Sequence, residues 1–185
     1  VRSTNAVEVS THFGIKMVNA AGDMVVTDPV SGDPIYVLFS NPPGNIINAG
    51  DGNDRVVAGI GADEINGGNG TDIVSYQASN AAVDANLATG TGTTGYAQGD
   101  IYTSVEGLTG SNFNDHLTGD SGDNIFDGGA GADVIDGGAG FDTANYANAV
   151  AGAAPGTAGV EIFLDGSPSH GGEAEGDTLF GIEHV

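Results

Sequence analysis

The chain has 185 residues, and 25 Asp and Glu against 3 Lys and Arg give it a formal net charge of −22 at pH 7. Such a charge opposes binding to nucleic acid and to anionic membranes. Cysteine is absent, which excludes disulfides and thiolate metal sites. No apolar run reaches the ~18 residues of a membrane-spanning helix, so no membrane insertion is expected. Because 39% of the residues are hydrophobic and recur periodically, we expect an ordered fold that depends on cations.

The first 39 residues contain no glycine-rich repeat. Short apolar runs at 7–13, 23–27 and 34–40 are predicted strands, separated by turns. We interpret residues 1–39 either as a β cap over the edges of the following structure or as the tail of an upstream domain. The chain begins with Val1 and has no signal-peptide pattern, so we expect a processed protein or a fragment.

Residues 40–75 divide into units of nine residues. Each unit contains glycines that permit a tight turn, then an acidic residue, then a short strand with one inward apolar side chain. The acidic positions of the three regular units are Asp54, Asp63 and Asp72. The inward positions that follow them are Val56, Ile65 and Val74. The unit 40–48 has Asn45 at the acidic position and two prolines in its turn, so we expect it to bind metal weakly.

The nine-residue units stop at a spacer, 76–109, and resume at 110–145 before a second spacer, 146–185. The inward positions of the second block are Leu117, Phe126, Ile135 and Ala144. The segment GDIYTSVEGL (99–108) matches GDTLFGIEHV (176–185), so the chain consists of two large repeats. The sequence ends where another block is expected. We therefore expect either a longer protein or a second subunit that continues the stack, a contact that would build a filament.

These units resemble the nonapeptide GGxGxDxUx of RTX (repeats-in-toxin), or haemolysin-type, calcium-binding proteins. The resemblance implies an all-β fold, a calcium-binding parallel β-roll or β-helix solenoid over residues 40–185. Two units would form one 18-residue coil of turn, strand, turn and strand, and coils would stack at about 4.8 Å. We expect the spacers to continue the coil with longer strands and looped-out sides.

Acidic turns stacked 18 residues apart would repel one another and would also direct main-chain carbonyls inward. A hard cation that takes 6–8 oxygen ligands removes both problems, and Ca²⁺ fits better than Mg²⁺, which prefers a tight octahedron with water. The resemblance implies one Ca²⁺ between neighbouring turns, held by two aspartates and by main-chain oxygens. We predict about three sites or more, and the best candidates pair turn 49–54 with 67–72, turn 110–115 with 128–133, and turn 119–124 with 137–142.

The predicted metal ligands are the acidic or amide residues and the glycines of these turns. The first group is Asp51, Asp54, Asp63, Asp72, Asp115, Asp123, Asn124, Asp133 and Asp142. The second is Gly50, Gly52, Gly68, Gly70, Gly129, Gly131, Gly138 and Gly140. Two pairs depart from the pattern, because Phe113 replaces a glycine and Asn124 replaces an aspartate. A further pair, 40–45 with 58–63, is doubtful, and Asp100 and Asp177 are expected either to bind more calcium or to cap a turn.

No catalytic arrangement is predicted. The four histidines are scattered, and Ser169–His170 lies in a loop without a device that would position a nucleophile. The leading hypothesis is therefore a non-catalytic, calcium-dependent structural module of a secreted bacterial RTX-type protein. The resemblance implies export through type I secretion and folding outside the cell, in a surface-layer, adhesive or fibre-forming role. Its partners would be calcium and, in a fibre, copies of itself stacked head to tail.

Two alternatives remain open at this stage. The chain could be the C-terminal accessory or secretion module of a secreted enzyme of the protease, lipase or polysaccharide epimerase type, with its catalytic domain elsewhere. A carbohydrate- or ice-binding face would require repeated outward threonine or aromatic residues. The outward positions are mixed, as Arg55, Glu64 and His116 illustrate, which counts against that alternative.

Overall fold

The structure is a computed structural model that describes residues 44–147 and 161–185, together with the backbone of four short strands between residues 6 and 37. The described residues form strands and turns, and their only helical segments are two 3-10 turns, Gly95–Ala97 and Gly172–Ala174. The fold is therefore all-β. Within these residues, no helix has the length and apolar character needed to span a bilayer.

Four short strands precede residue 40; three of them overlap the runs predicted at 7–13, 23–27 and 34–40, and the strand at Lys16–Met17 lies outside those runs. They are β1 (Ala6–Glu8), β2 (Lys16–Met17), β3 (Met24–Thr27) and β4 (Pro34–Val37). The first block and spacer contribute β5 (Ile46–Asp51), β6 (Arg55–Val57), β7 (Glu64–Asn69), β8 (Ile73–Ser75), β9 (Asp84–Asn86), β10 (Thr91–Thr94), β11 (Ile101–Thr103) and β12 (Gly107–Thr109). The remainder contribute β13 (His116–Thr118), β14 (Ile125–Asp127), β15 (Val134–Asp136), β16 (Thr143–Ala144) and β17 (Thr178–Phe180). Residues 40–43 of the first unit lie outside the described residues.

Successive strands of the nonapeptide blocks alternate between two sheets. The order of the nine-stranded sheet is β1-β5-β7-β11-β10-β9-β13-β15-β17, and the order of the eight-stranded sheet is β16-β14-β12-β8-β6-β4-β3-β2. Ile47 pairs in parallel with Ile65, and Val56 pairs with Val74. This register agrees with the predicted repeat of 18 residues, because two nine-residue units bring the chain back to the same sheet.

The core lies between the two sheets, and the middle residues of the short strands form its repeating part. Alternate side chains of a strand point to opposite faces, so a three-residue strand directs one side chain inward. The inward positions are at most 1% exposed: Val56, Ile65, Val74, Leu117, Phe126, Ile135 and Ala144. Burial of each larger aliphatic or aromatic side chain contributes roughly 1.5–3 kcal/mol, so these inward residues of both sheets contribute much of the stability of their packing.

The first spacer joins the two blocks by folding back on itself. The chain leaves β8 for β9, which pairs with β13 of the second block, and then returns through the antiparallel β10 to β11, which pairs with β7 of the first block. The expectation of longer strands in this spacer is wrong, because its strands have three or four residues whereas β5 and β7 have six. Gly90 and Gly95, with φ of +66° and +60°, make the reversals on either side of β10.

The second spacer repeats the first where both are described. The two 3-10 turns, at Gly95–Ala97 and Gly172–Ala174, occupy matching positions of the two spacers. Ser104, the single non-glycine residue with positive φ among the described residues, has φ 50°, and Gly181 at the matching position has φ 57°. Shared backbone geometry supports the assignment of two large repeats.

Candidate metal centre

Each glycine-rich turn of the described blocks delivers its acidic side chain into the interior just before a strand begins. Asp54, Asp63, Asp72, Asp115, Asp133 and Asp142 are at most 2% exposed. Asn124 is also 2% exposed. Buried carboxylates require hydrogen bonds, a proton or a cation, because loss of hydration penalises the charged form.

A ladder of hydrogen bonds connects turns that lie 18 residues apart. The backbone N–H of Asp54 donates to Oδ1 of Asp72 over 2.8 Å. The N–H of Asp115 donates to Oδ1 of Asp133 over the same distance. Two other steps join Asn124 N–H to Asp142 Oδ1 and Asn45 N–H to Asp63 Oδ1, each at 2.8 Å. This carboxylate ladder brings together the three turn pairs named from the sequence, as well as the doubtful fourth pair.

The second carboxylate oxygen of three ladder residues is buried without a partner. The Oδ2 atoms of Asp72, Asp133 and Asp142 have no hydrogen-bond partner among the described residues. Burial raises the pKa of Asp133 to about 8, and burial also raises the pKa values of Asp72 and Asp142. Each site therefore favours a proton when no cation is bound, and a cation would replace the lost hydration of the ionised form.

The first glycine of a turn makes room for these oxygens. A Cβ on Gly67 would lie 2.1 Å from the carbonyl oxygen of Ser104 and 2.5 Å from Oδ2 of Asp72. A Cβ on Gly137 would lie 2.1 Å from the carbonyl oxygen of Gly181 and 2.6 Å from Oδ2 of Asp142. The space in front of each glycine is thus bounded by carboxylate and carbonyl oxygens, which are the ligands that calcium prefers.

The donor set fits calcium better than a transition metal. Within residues 44–147 and 161–185, no group of three or more His, Cys, Asp or Glu side chains is placed to hold a metal ion. The clusters instead combine one or two carboxylates with main-chain carbonyls, which suits a hard cation that accepts many oxygen ligands.

The first coil of the second block satisfies its own acidic positions. Both oxygens of Asp115 accept hydrogen bonds, Oδ2 from the N–H of Ser111 and Oδ1 from the Ser111 hydroxyl and the N–H of Val83. Oδ1 of Asn124 accepts from the N–H of Asp120, and its amide donates to the carbonyl of Glu106. Hydrogen bonds from protein groups thus engage the oxygens of both side chains.

In the nine-stranded sheet, the ladder ends in each spacer at an aspartate that also accepts a hydrogen bond from a tyrosine hydroxyl. Oδ1 of Asp100 accepts the N–H of Asp63 over 2.7 Å, and its Oδ2 accepts the hydroxyl of Tyr76 over 2.7 Å. Asp177 accepts the N–H of Asp133 and the hydroxyl of Tyr146, each at 2.8 Å. Both oxygens of each carboxylate are engaged. Of the two sequence-based expectations for Asp100 and Asp177, these contacts are those of a turn cap.

Two glutamates of the spacers also join the ladder, and the sequence analysis did not single them out. Oε2 of Glu106 accepts the N–H of Asp72, and Oε2 of Glu183 accepts the N–H of Asp142, each at 2.8 Å. The matching positions of Glu106 and Glu183 in the two spacers were the signal that could have identified them.

Asp51 and Asp123, two of the predicted ligands, lie on the outer surface of their turns. Oδ1 of Asp51 accepts the side-chain amide of Asn69, and Oδ1 of Asp123 accepts the N–H of Phe141. Asn53 likewise accepts the N–H of Thr71. These contacts form a second, external set of links between coils, which the sequence analysis missed.

Ser169 and His170 do not form a nucleophile and base. Ser169 is fully buried, and its hydroxyl oxygen accepts the N–H of Phe163 over 3.1 Å. His170 is exposed and lies 3.7 Å from Glu175. The serine therefore stabilises its loop.

The fold and the turns define an all-β protein whose stacked glycine–aspartate turns carry oxygen-rich sites for a hard cation. The family model for the RTX calcium-binding nonapeptide repeat matches the chain in four copies, at residues 44–75 and 109–144. These two segments are therefore similar to the RTX repeat, a family described as calcium-binding. No curated protein sequence matches the chain.

Proposed function

We propose that residues 40–185 form a calcium-binding parallel β-roll, a non-catalytic structural module of a secreted bacterial RTX protein. The observation that carries this proposal is the set of buried, unpartnered Oδ2 atoms of Asp72, Asp133 and Asp142 inside turns of the matched repeats. The Oδ2 atoms of Asp72 and Asp142 each border a space that a main-chain carbonyl oxygen also borders. Calcium supplies the positive charge that this arrangement lacks.

Calcium would decide whether the chain folds. Without cations, a formal net charge of −22 opposes compaction. A site filled at 100 times its Kd adds about 2.7 kcal/mol of stability. Three such sites together contribute about 8 kcal/mol, which lies within the roughly 5–15 kcal/mol of an ordinary domain. This arithmetic supports export of an unfolded chain from a compartment low in calcium, followed by folding at the cell surface or outside the cell.

The mature role that we propose is a surface-layer, adhesive or fibre-forming element. The parallel pairing of β1 with β5 and of β4 with β6 continues both sheets, which supports a cap role for residues 1–39 over an upstream-domain tail. In the alternative, the same module would be the accessory part of a secreted enzyme. Both roles require the calcium transition, and they differ in self-association.

Circular dichroism of the chain during a calcium titration tests the proposal, with light scattering recorded on the same samples. We expect a change from coil to β signal with calcium and none with magnesium at the same concentration. Scattering that rises with the same midpoint would favour head-to-tail assembly over a monomeric accessory module. A chain that already has the full β signal in decalcified buffer would contradict the metal-dependent fold.

A further inference from the structure

The carboxylate ladder ends differently in the two sheets. In the nine-stranded sheet, a tyrosine hydroxyl donates a hydrogen bond to the second oxygen of the final carboxylate, as Tyr76 does to Asp100. In the eight-stranded sheet, the final carboxylate is a glutamate, Glu106 or Glu183. The aspartate one step before each glutamate keeps a buried Oδ2 without a partner among the described residues. Asp133, one step before Asp177, shares this feature, so the two endings differ in the final carboxylate itself. Asp100 and Asp177 accept through both oxygens, whereas Glu106 and Glu183 accept the ladder N–H through Oε2.

At the first junction, three oxygen-bearing groups from two coils lie close together. Asp72 is 1% exposed and its Oδ2 is unpartnered within the described part of the chain. Glu106 is fixed beside it, because its Oε2 accepts the Asp72 N–H over 2.8 Å. The carbonyl oxygen of Ser104 and Oδ2 of Asp72 border the same space in front of Gly67.

The second junction reproduces this arrangement with different residues. Asp142 is fully buried, and its Oδ2 has no partner among the described residues. Glu183 accepts its N–H over 2.8 Å. The carbonyl oxygen of Gly181 and Oδ2 of Asp142 border the space in front of Gly137. Two occurrences in two separate spacers indicate a built feature of the repeat.

We propose that Asp72 with Glu106, and Asp142 with Glu183, form two calcium sites at the junctions between block and spacer, through the unpartnered Oδ2 atoms of the two aspartates. Each site combines an aspartate, a glutamate and a main-chain carbonyl, and water completes the coordination of a hard divalent cation. The longer glutamate side chain reaches the preceding coil from a spacer turn that has no nonapeptide. This inference rests on the proposed function, and it extends the row of calcium ions by one coil in the eight-stranded sheet alone.

The number of bound calcium ions in the full chain tests the inference, measured by equilibrium dialysis or by native mass spectrometry. Glu106→Gln and Glu183→Gln each keep an oxygen that accepts the ladder N–H but remove the charge. We expect each variant to bind one calcium fewer than the wild type, or to bind one calcium about tenfold more weakly, and we expect the double variant to show both losses.

Asp100→Asn is the matched control. It also neutralises a ladder-ending carboxylate and keeps an acceptor for the Asp63 N–H, yet Tyr76 already occupies that carboxylate, so the calcium count should stay unchanged. Unchanged number and affinity in both glutamate variants overturns the inference, as does loss of a calcium in Asp100→Asn alone. If Glu106→Gln does not reach the β signal of the wild type, Glu183→Gln decides.

The same measurement separates the two proposals. A wild-type chain that binds no calcium overturns both the proposed function and this inference. A wild-type chain that binds calcium, with glutamate variants that bind it equally well, overturns the inference alone.

Discussion

The two nonapeptide blocks have one period but differ in what fills their turns. In the first block, Gly50 and Gly68 take matching φ values of +114° and +113°, and Oδ2 of Asp72 has no hydrogen-bond partner among the described residues. In the first coil of the second block, Ser111 and Asp120 stand at the same turn position and donate their N–H groups to Asp115 and Asn124. A turn that supplies its own donors needs less from a cation.

The difference is confined to one coil. In the next coil, Gly129 and Gly138 again have positive φ, at +87° and +90°. Oδ2 of Asp133 and of Asp142 is again unpartnered in the described residues. The glycine pattern and the unpartnered oxygen therefore return together, which indicates that the local turn conformation decides whether a carboxylate is available to calcium.

Removal of calcium followed by a change of pH should give the largest effect, because it acts on the buried carboxylates of both blocks at once. Burial raises the pKa of Asp133 to about 8 and that of Asp100 to about 7, from an ordinary value of 3.8. Between the ordinary pKa and the raised pKa, the folded chain holds more protons than the unfolded chain. The stability of the calcium-free chain should therefore fall as the pH rises from about 4 to about 8.

With saturating calcium the sign should reverse. The ionised carboxylates are then the ligands, protons compete with calcium, and stability should fall as the pH is lowered through the same window. Urea unfolding at several pH values, in decalcified and in calcium-saturated buffer, measures both trends. Parallel trends in the two buffers would contradict the assignment of the buried carboxylates as ligands.

Asp72→Asn should give the next largest effect, and it tests whether the unpartnered carboxylate of the first block binds calcium. It removes the charge of the ladder residue between Asp54 and Glu106 while keeping an acceptor for the Asp54 N–H. We expect a loss of about 2.7 kcal/mol for each site that is no longer filled at 100 times its Kd, and no comparable loss without calcium.

Calcium-dependent thermal or urea unfolding measures the effect of Asp72→Asn. Glu64→Gln is the control, because it removes the same charge from an exposed outward position of β7. Equal losses in the two variants would show that net charge, rather than a site, is responsible.

Asn124→Asp should give the smallest effect and make the second block more like the first. An aspartate can still accept the N–H of Asp120, and it adds a charge one ladder step from Asp142. The lost amide contact with the Glu106 carbonyl should cost stability without calcium. With calcium we expect affinity to rise about fivefold, or about 1 kcal/mol.

Isothermal titration with calcium measures the effect of Asn124→Asp. Asn80→Asp adds the same charge at an exposed position outside the nonapeptides and serves as the control. Unchanged calcium affinity in Asn124→Asp would mean that the third turn pair does not bind the ion.

The nine-residue period of the sequence predicted the repeating parts of the fold. The inward positions Val56, Ile65 and Leu117 are buried as expected, and turns 18 residues apart meet through the ladder. These features depend on one local rule, a turn of glycines followed by a three-residue strand, and each coil needs only its neighbour to complete it. Such contacts have a fixed spacing in the sequence, so the period reveals them.

The spacer contacts have no such fixed spacing. Tyr76 reaches Asp100 across 24 residues, whereas Tyr146 reaches Asp177 across 31. The sequence showed that the tyrosines and aspartates recur, and it predicted packing for the first and left two roles for the second. Only the folded chain shows that each pair closes the ladder, because loops of different length bring the partners together.

The sequence by itself determined the strand period, the pairing of turns 18 residues apart and the inward positions, and it predicted a cation for the acidic turns. The tertiary structure alone decided the back-folded order β11-β10-β9, the satisfaction of Asp115 by Ser111, and the placement of Glu106 beside Asp72. The physical reason is that each repeat is positioned by its neighbouring repeats. The hydrogen bonds of a buried carboxylate, in contrast, depend on donors that come from residues distant in the sequence.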